Sequence, residues 1–214
     1  YHPSTAEKPI LNNLSYASKP GKITIIKGPS GSGKTTLVEV ISGLSSCQKG
    51  TIKWFSSVLN PRQRRWLCGL VFQFPERYFI GLSIAQELRL GHKKLSTEEQ
   101  IRTLNKVGLR NIELKQPPES LSGGQQRRLA IAVQLLRKPK VLLLDEPTAG
   151  LDWSMRSGVI ELLSKLKEKQ TILIVTHEPE LFQSLNTDCY ELREGQLISH
   201  EENQSTNKNQ CQIH

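Results

Sequence analysis

Several features that define other protein classes are missing from this sequence. The 214 residues include only four cysteines, and no two of them form a Cys-x-x-Cys pair. This excludes a disulfide framework and a cysteine-based zinc module, and it favours a reducing compartment. No apolar run approaches the roughly 18 residues of a spanning helix, so the chain itself is not expected to cross a bilayer. No repeat of about 20–50 residues occurs, which argues against solenoids and propellers.

Acidic residues are scarce relative to basic ones. Twenty Asp and Glu stand against 29 Lys and Arg, which gives a formal net charge of +9. This surplus permits a nucleic-acid or anionic-membrane partner but does not demand one. The first residue is Tyr1 rather than Met, and no signal-peptide pattern follows it. We therefore expect a trimmed chain or a fragment.

Short aliphatic runs alternate with helical patterns along much of the chain. Strands are predicted at Ile23–Ile26, Leu70–Phe72, Val141–Leu144 and Thr171–Val175. Helices are predicted over residues 35–42, 83–90, 97–107, 123–137 and 154–169. Continuous aliphatic strands that alternate with helices are typical of a mainly parallel α/β sheet covered on both faces.

The middle of the chain has a different pattern. Between Gln73 and Arg137 there are helical patterns and loops without an aliphatic strand. We therefore predict an α/β core over 1–73 and 138–200, a helical insertion over 74–137, and a polar tail over 201–214. All of these belong to a single domain in this interpretation.

A glycine-rich loop lies between the first predicted strand and the first predicted helix. Its sequence, GPSGSGKT at Gly28–Thr35, matches the phosphate-loop pattern G-x-x-x-x-G-K-[ST] at every fixed position. Glycines let backbone N–H groups wrap an anion, and the following helix N-terminus adds partial positive charge. The candidate nucleotide-binding residues are Gly28, Pro29, Ser30, Gly31, Ser32, Gly33, Lys34, Thr35 and Thr36. The alternative is a Gly-Ser turn beside an unrelated lysine.

The loop chemistry assigns separate roles to Lys34 and Thr35. The Lys34 ammonium is expected on the β and γ phosphates of ATP, and the Thr35 hydroxyl is expected on Mg²⁺. Two carboxylates, Asp145 and Glu146, follow the aliphatic strand at 141–144. Asp145 is a candidate Mg²⁺ ligand, and Glu146 is a candidate base for the attacking water. The alternative for this motif read alone is ordinary solvation of a strand end.

Five further residues, Leu121–Gln125 (LSGGQ), resemble the signature run of ABC-type ATPases. The order of motifs is similar to that family, and Val141–Asp152 (VLLLDEPTAGLD) resembles its acidic strand and D-loop. The resemblance implies a P-loop ATPase core, a helical subdomain that carries the signature run, and a small N-terminal antiparallel β part. It also implies that ATP and Mg²⁺ are bound.

The resemblance also implies how two chains share ATP. Two cassettes face head to tail, and each ATP lies on one phosphate loop and under the signature run of the other chain. Ser122, Gly123, Gly124 and Gln125 match that run here. The sequence leaves open whether the second cassette is another copy of this chain or a paralogue.

Four more positions take their roles from the resemblance. Gln73 matches the glutamine that contacts Mg²⁺ or the attacking water, and His177 matches the histidine at the γ-phosphate. Asp152 matches the D-loop aspartate, and Tyr1 matches the aromatic residue that stacks on adenine. Taken singly, a glutamine such as Gln73 is more often a plain polar loop residue, and a strand-end histidine such as His177 is more often structural.

The runs Val71–Glu76 (VFQFPE), Gln125–Arg128 (QQRR) and Thr148–Asp152 (TAGLD) resemble the cobalt and energy-coupling-factor importer ATPases and their stand-alone cyanobacterial and plastid relatives. This resemblance implies an ATP-driven transporter subunit with a membrane-spanning partner in another chain. Its place would be the cytoplasmic face of a membrane, or the plastid stroma or inner envelope. The segment Phe74–Ile80 is expected either to receive the membrane subunit or to fill the helical core.

Two other functions stay open from the sequence. One is a soluble ABC-type ATPase that acts on nucleic acid or in cofactor and cluster assembly, which the net charge and the run Arg62–Arg65 favour. The coiled-coil insertions and second ATPase domain of such proteins are missing from this sequence. That arginine run is more typical of a solvated face or a contact with anionic lipid. The other function is a non-hydrolysing regulator, against which the intact Lys34, Asp145, Glu146 and His177 argue.

Overall fold

The computed structural model describes residues 10–19 and 21–199. The strands are β1 (Ile23–Lys27), β2 (Lys53–Trp54), β3 (Ser57–Val58), β4 (Cys68–Val71), β5 (Val141–Asp145), β6 (Thr171–Thr176), β7 (Thr187–Arg193) and β8 (Gln196–Ser199). The α-helices are α1 (Lys34–Ser42), α2 (Pro61–Leu67), α3 (Ile84–Arg89), α4 (Thr97–Lys106), α5 (Gly123–Leu136) and α6 (Trp153–Leu166). Short 3-10 helices occupy Pro75–Tyr78, Pro118–Ser120 and Pro179–Phe182.

The main sheet has six strands in the order β4-β5-β6-β1-β7-β8. The first five run parallel, and only β8 pairs antiparallel, with β7. Parallel strands require long crossovers, which α1 and the helices after β4 and β5 provide. The prediction of a mainly parallel α/β sheet is confirmed.

Alternate residues of the strands pack into separate hydrophobic clusters. Leu142 and Leu144 belong to a cluster with α3, α4, α5 and α6, whereas Val141 and Leu143 belong to a cluster with α1. Neighbouring residues of a strand point to opposite faces of a sheet, so the two clusters lie on opposite faces. This explains why β5 is aliphatic at every position before Asp145 and has no polar face.

Helices begin where the sequence supplies caps. Asn60, Ser96 and Ser122 each cap a helix with a side-chain oxygen, and the residue three positions later closes a capping box in each case. Helix α1 begins differently, because Gly33 precedes it in the left-handed region and provides no side-chain cap. The first N–H groups of α1 are therefore not covered by a capping side chain.

The segment between β4 and β5 contains helices and loops, with no strand among its described residues. The small antiparallel sheet expected toward the N-terminus is formed by β2 and β3. Predicted helix ends lie within three residues of the observed ends, and the predicted ends at 42, 97 and 123 coincide with them. The boundaries of the predicted helical insertion, 74 and 137, stay a prediction.

Five of the strands and α-helices are missing from the sequence prediction. Strands β2 and β3 have two residues each, and α2 has seven, which is too few for a clear period. Strands β7 and β8 carry charged or polar side chains, and they are the last two strands on one side of the sheet. In the described part of the chain, no helix combines the length and hydropathy required to span a membrane.

Candidate functional site

The carboxyl ends of β1, β4, β5 and β6 meet at one edge of the sheet, as parallel strands require. A cavity of about 440 Å³ opens there. It is lined by Ile10, Ser30, Gly31, Gly33, Lys34, Thr35, Thr36, Gln73, Asp145, Glu146 and His177. The topology therefore brings together residues that are more than 140 positions apart in the sequence.

The backbone of the phosphate loop depends on glycine at particular positions. Gly31 and Gly33 have φ values of +78° and +98°, a region that side chains with a Cβ rarely adopt. A Cβ on Gly28 would lie 2.5 Å from the carbonyl oxygen of Leu192, so the loop packs directly on β7. The Ser32 hydroxyl is buried without a hydrogen-bond partner among the described residues. Such a loop leaves N–H groups and one hydroxyl for an anion.

Lys34, the first residue of α1, is 8% exposed. Its ammonium donates to the carbonyl oxygens of Gly28 and Pro29, at 2.7 and 3.0 Å. It also lies 3.8 Å from Oε1 of Glu146. The buried charge is thus paired, and it lies at the cavity wall.

Thr35 and Asp145 form a direct contact between α1 and β5. The Thr35 hydroxyl donates to Oδ2 of Asp145 at 2.7 Å. Burial raises the pKa of Asp145, and the hydrogen bond from Thr35 opposes that rise. The Thr35 hydroxyl, the Asp145 carboxylate and the Gln73 amide all line the cavity. Oxygen donors of this kind suit Mg²⁺, which prefers one or two carboxylates together with phosphate oxygens.

Glu146 is held by three groups at the end of β6. Its Oε2 accepts from the Thr176 hydroxyl at 3.0 Å and from the His177 backbone N–H at 3.3 Å, and it lies 2.9 Å from Nδ1 of His177. The residue is 6% exposed, and its backbone has a φ of +47°. Left-handed backbone at a residue other than glycine is unusual, and it directs this carboxylate into the cavity.

The other predicted residues lie elsewhere. Ser122 caps α5, and the backbone N–H of Gly124 donates to Sδ of Met155 at 3.3 Å. Asp152 caps α6, where it accepts from the Met155 N–H at 2.8 Å. None of Ser122, Gly123, Gly124, Gln125 and Asp152 lines the cavity. Tyr1 lies outside the described residues.

Arg127 is a residue that the sequence analysis did not identify as part of the site. It is 2% exposed on α5, and its guanidinium donates to the carbonyl oxygens of Ala149, at 3.1 Å, and Glu146, at 3.5 Å. Burial lowers its pKa, and the nearby acidic groups Glu76 and Asp145 oppose that change. Arg127 therefore joins the helix that carries the signature run to the turn after β5. An arginine within an otherwise apolar helix face was the signal for this role.

Comparison with known proteins identifies the family. Residues 11–149 match the model of the ABC transporter family, well over half of the chain. The chain belongs to the ABC transporter family. It is 36% identical to the protein named ABC transporter I family member 11, chloroplastic, from Arabidopsis thaliana, over 92% of this chain and 77% of the relative. It is 35% identical to the energy-coupling factor transporter ATP-binding protein EcfA2 of Spiroplasma kunkelii, over 92% and 70% of the two chains.

Solved structures of ABC cassettes have the same fold. The CbiO1 protein of Clostridium perfringens, part of the transporter complex CbiONQ, superposes with a TM-score of 0.79 at 30% identity, over 93% of this chain and 85% of that chain. The ATP-binding cassette MJ0796, in a post-hydrolysis state with ADP and Pi, gives 0.77 at 28% identity over 92% of each chain. The ABC protein described here is thus a P-loop ATPase that binds adenine nucleotides, as the sequence predicted.

Proposed function

We propose that this ABC protein is the motor subunit of a membrane transporter, and that it works as a pair of cassettes closing over ATP. The separation of the signature run from the cavity carries this proposal. The phosphate loop, Asp145 and Glu146 surround one cavity, while Ser122 to Gln125 begin an exposed helix end outside it. Since one chain does not bring both halves to the same ATP, a second cassette must supply the other half.

Within the cavity, each residue has a distinct proposed role. The loop N–H groups and Lys34 hold the phosphates, and Tyr1 stacks on adenine. Thr35, Asp145 and Gln73 would hold Mg²⁺, which would supply positive charge to offset that of the β and γ phosphates. Glu146 takes the proton of the attacking water, because its carboxylate is the buried base nearest Lys34.

His177 and the opposite cassette complete the proposed site. His177 orients the Glu146 carboxylate through its Nδ1 contact and reaches toward the γ-phosphate. Ser122, Gly123, Gly124 and Gln125 of one chain cover the ATP of the other, and Asp152 bridges the two chains. A helix N-terminus with two glycines suits such an anion contact.

The membrane-spanning partner is proposed to dock beside Gln73. In the segment Phe74–Ile80, Tyr78 and Ile80 are 59% and 77% exposed. Phe79 instead packs against the hydrophobic core. The two expectations for this segment therefore apply to different residues, and the exposed pair forms part of the docking surface. We propose that residues 74–137 form the subdomain that carries the signature run.

The relatives support a location at a membrane without defining the cargo. Their names include an energy-coupling factor transporter ATP-binding protein, a chloroplastic ABC transporter I family member and a glutamate/aspartate import ATP-binding protein. Because one of these names gives a cargo and another gives a compartment, and the three do not agree on either, we propose only peripheral association with a membrane. The compartments considered are the cytoplasm and the plastid stroma or inner envelope.

Affinity capture from detergent-solubilised membranes tests the transporter function. A tagged Glu146→Gln variant with ATP and Mg²⁺ is expected to retain a multi-spanning protein, because removal of the base prolongs the ATP-bound state. The matched control is tagged Lys34→Ala, which removes the charge that holds the phosphates and should recover much less of it. Recovery of only soluble proteins or nucleic acid would contradict the transporter proposal and favour the soluble ABC ATPase.

A further inference from the structure

Acidic residues are missing from one long part of this basic chain. Between Glu39 and Glu76 there is no Asp or Glu, whereas five Lys and Arg fall there. That part includes the end of α1, the β2–β3 hairpin, α2 and β4. Its positive charge is therefore not balanced locally, and the folded structure determines which of the five side chains reach the surface.

Helix α2 divides its basic residues between two faces. Arg64 is 5% exposed and donates to the Val40 carbonyl oxygen at 2.6 Å, so its charge is used inside the protein. Arg62, Arg65 and Trp66 are exposed, and Trp66 reaches 70%. Residues three and four positions apart lie side by side on a helix, so these three side chains share the outer face.

The β2–β3 hairpin, which precedes α2, also has one side chain packed inward and others exposed. Trp54 packs partly against the core, whereas Lys53 and Phe55 are exposed, Phe55 at 83%. Phe55 has a left-handed φ of +51° at the hairpin turn. Its ring packs edge-on against the Trp54 ring, with 5.1 Å between the ring centroids. The aromatic ring at the turn is thus held in place at the surface. Only Leu59 and Asn60 separate the hairpin from α2.

We define a basic aromatic face by the exposed basic and aromatic side chains of the hairpin and α2, which are neighbours in sequence, together with Lys49: Lys49, Lys53, Phe55, Arg62, Arg65 and Trp66. All six are exposed, and none of the four cations forms an ion pair with another described residue. Two exposed aliphatic side chains, Leu44 and Val58, lie in the same part of the chain.

We propose that the basic aromatic face binds directly to the surface of an anionic lipid bilayer. Lys and Arg near such a surface each raise the affinity by about fivefold, and Trp and Phe insert at the headgroup level. Single-stranded nucleic acid also suits basic and aromatic groups, but exposed aliphatic side chains such as Leu44 and Val58 give no stacking to bases. They do gain from insertion into lipid, which favours the membrane.

The contact requires no membrane protein, so it is separate from the docking proposed for Tyr78 and Ile80. Vesicles without protein therefore test it alone. If vesicle binding fails while capture of a membrane subunit succeeds, the lipid contact is wrong and the transporter function stands.

The experiment is co-sedimentation of the full chain with vesicles. We expect at least tenfold stronger binding to phosphatidylcholine vesicles that contain roughly 30% phosphatidylglycerol than to phosphatidylcholine alone, and a loss at high salt. The double variant R62E/R65E should lose about tenfold or more, and F55S/W66S should lose a similar factor. The conservative variant R62K/R65K should keep the binding, because it keeps the charge.

The matched control is R102E/K106E on the exposed side of α4, where Glu98 and Glu99 lie close in sequence. It should leave vesicle binding within about twofold. Every variant should keep the solution ATPase rate of the parent protein, because none of the substituted residues lines the cavity. The Arg65 variants also change a hydrogen bond, since Nη1 of Arg65 donates to the Gly43 carbonyl oxygen at 2.7 Å, so their binding is compared at a temperature at which each variant is folded. Equal binding to neutral vesicles would overturn the proposal, as would unchanged binding of R62E/R65E. Binding of single-stranded RNA by the same face without vesicle binding would also overturn it.

Discussion

Asp145 combines a buried carboxylate with a place at the cavity wall. It is 3% exposed, and the pKa of its carboxyl is raised by burial. In the folded state this group keeps its proton to a higher pH than in the unfolded chain. Its charged form therefore lowers the stability of the folded protein as pH rises through the raised pKa. This loss of stability is absent at low pH, where the Asp145 carboxyl is protonated in both the folded and the unfolded state.

This sign predicts opposite effects of Asp145→Asn on stability and on activity. Without nucleotide or Mg²⁺, the variant should melt at a higher temperature than the parent at neutral pH, and the difference should vanish at acidic pH. Its ATPase rate should fall by about 100-fold or more, because a Mg²⁺ ligand is lost. Calorimetry across a pH series and a steady-state ATPase assay measure the two effects.

The matched control is Asp152→Asn, which replaces an exposed aspartate that caps α6. Asparagine caps a helix about as well as aspartate, so the melting temperature should change little. A lower melting temperature for Asp145→Asn at every pH would contradict the assignment of a net cost to the Asp145 charge.

At the scale of elements, single glycines affect how closely two helices pack and how stable one helix is. Gly43 ends α1 with a φ of +81°, and a Cβ there would lie 2.4 Å from the carbonyl oxygen of Pro61. The start of α2 thus packs on the end of α1 without room for a side chain. Gly158 lies inside α6, where a Cβ would meet nothing within 4 Å.

These two glycines predict opposite results for the same substitution. Gly43→Ala should destabilise the protein by about 1–3 kcal/mol through backbone strain and the contact with Pro61. Gly158→Ala should stabilise it by about 0.5–1 kcal/mol, because alanine favours a helix interior. Urea unfolding gives both values. If Gly43→Ala had the same free energy of unfolding as the parent protein, the α1–α2 junction would tolerate a side chain.

Arg127 predicts a link between the signature helix and the turn that positions Glu146. Arg127→Met should lower kcat by about tenfold while KM for ATP changes little, because the guanidinium contacts backbone rather than nucleotide. Arg127→Lys should recover part of the rate. The rate is measured per ATP-binding site, which corrects for any unfolded fraction.

Arg128→Met is the matched control for that experiment. Among the described residues, Arg128 donates to the Gly124 and Gly108 carbonyl oxygens, away from Glu146. Its kcat should stay within about twofold of the parent rate. If Arg127→Met kept the parent kcat per site, Arg127 would have a structural role alone.

At the scale of the whole molecule, one chain carries both halves of a site that it does not assemble alone. The Glu146→Gln variant of this 24.1 kDa chain should therefore elute at about twice the monomer mass in ATP and Mg²⁺. The same variant with Ser122→Arg should stay monomeric, because the added side chain blocks the ATP contact of the exposed signature run. Size-exclusion chromatography with light scattering measures both masses. A monomer for Glu146→Gln alone would favour a paralogue as the second cassette.

Much of the site was predictable from local sequence. The phosphate loop needs glycines at defined positions, and the acidic pair ends an aliphatic strand, so local sequence is enough to predict Gly31, Gly33, Lys34, Asp145 and Glu146. Parallel strands bring their carboxyl ends to one edge, which also places Gln73 and His177 at the cavity. These predictions follow from the spacing of the motif residues and from the hydrophobic periodicity of the strands.

Other features depended on contacts between distant residues. The buried Arg127 differs from the part-exposed Arg128 only through its packing against the turn at Ala149. The run Arg62–Arg65 likewise divides into an inward Arg64 and outward Arg62 and Arg65 because α2 packs on α1. Hydrophobic periodicity and composition act over one helical turn or one strand, so they predict which residues share a face of a helix or strand. Burial and charge pairing are set by packing across the chain, and only the tertiary structure decided them.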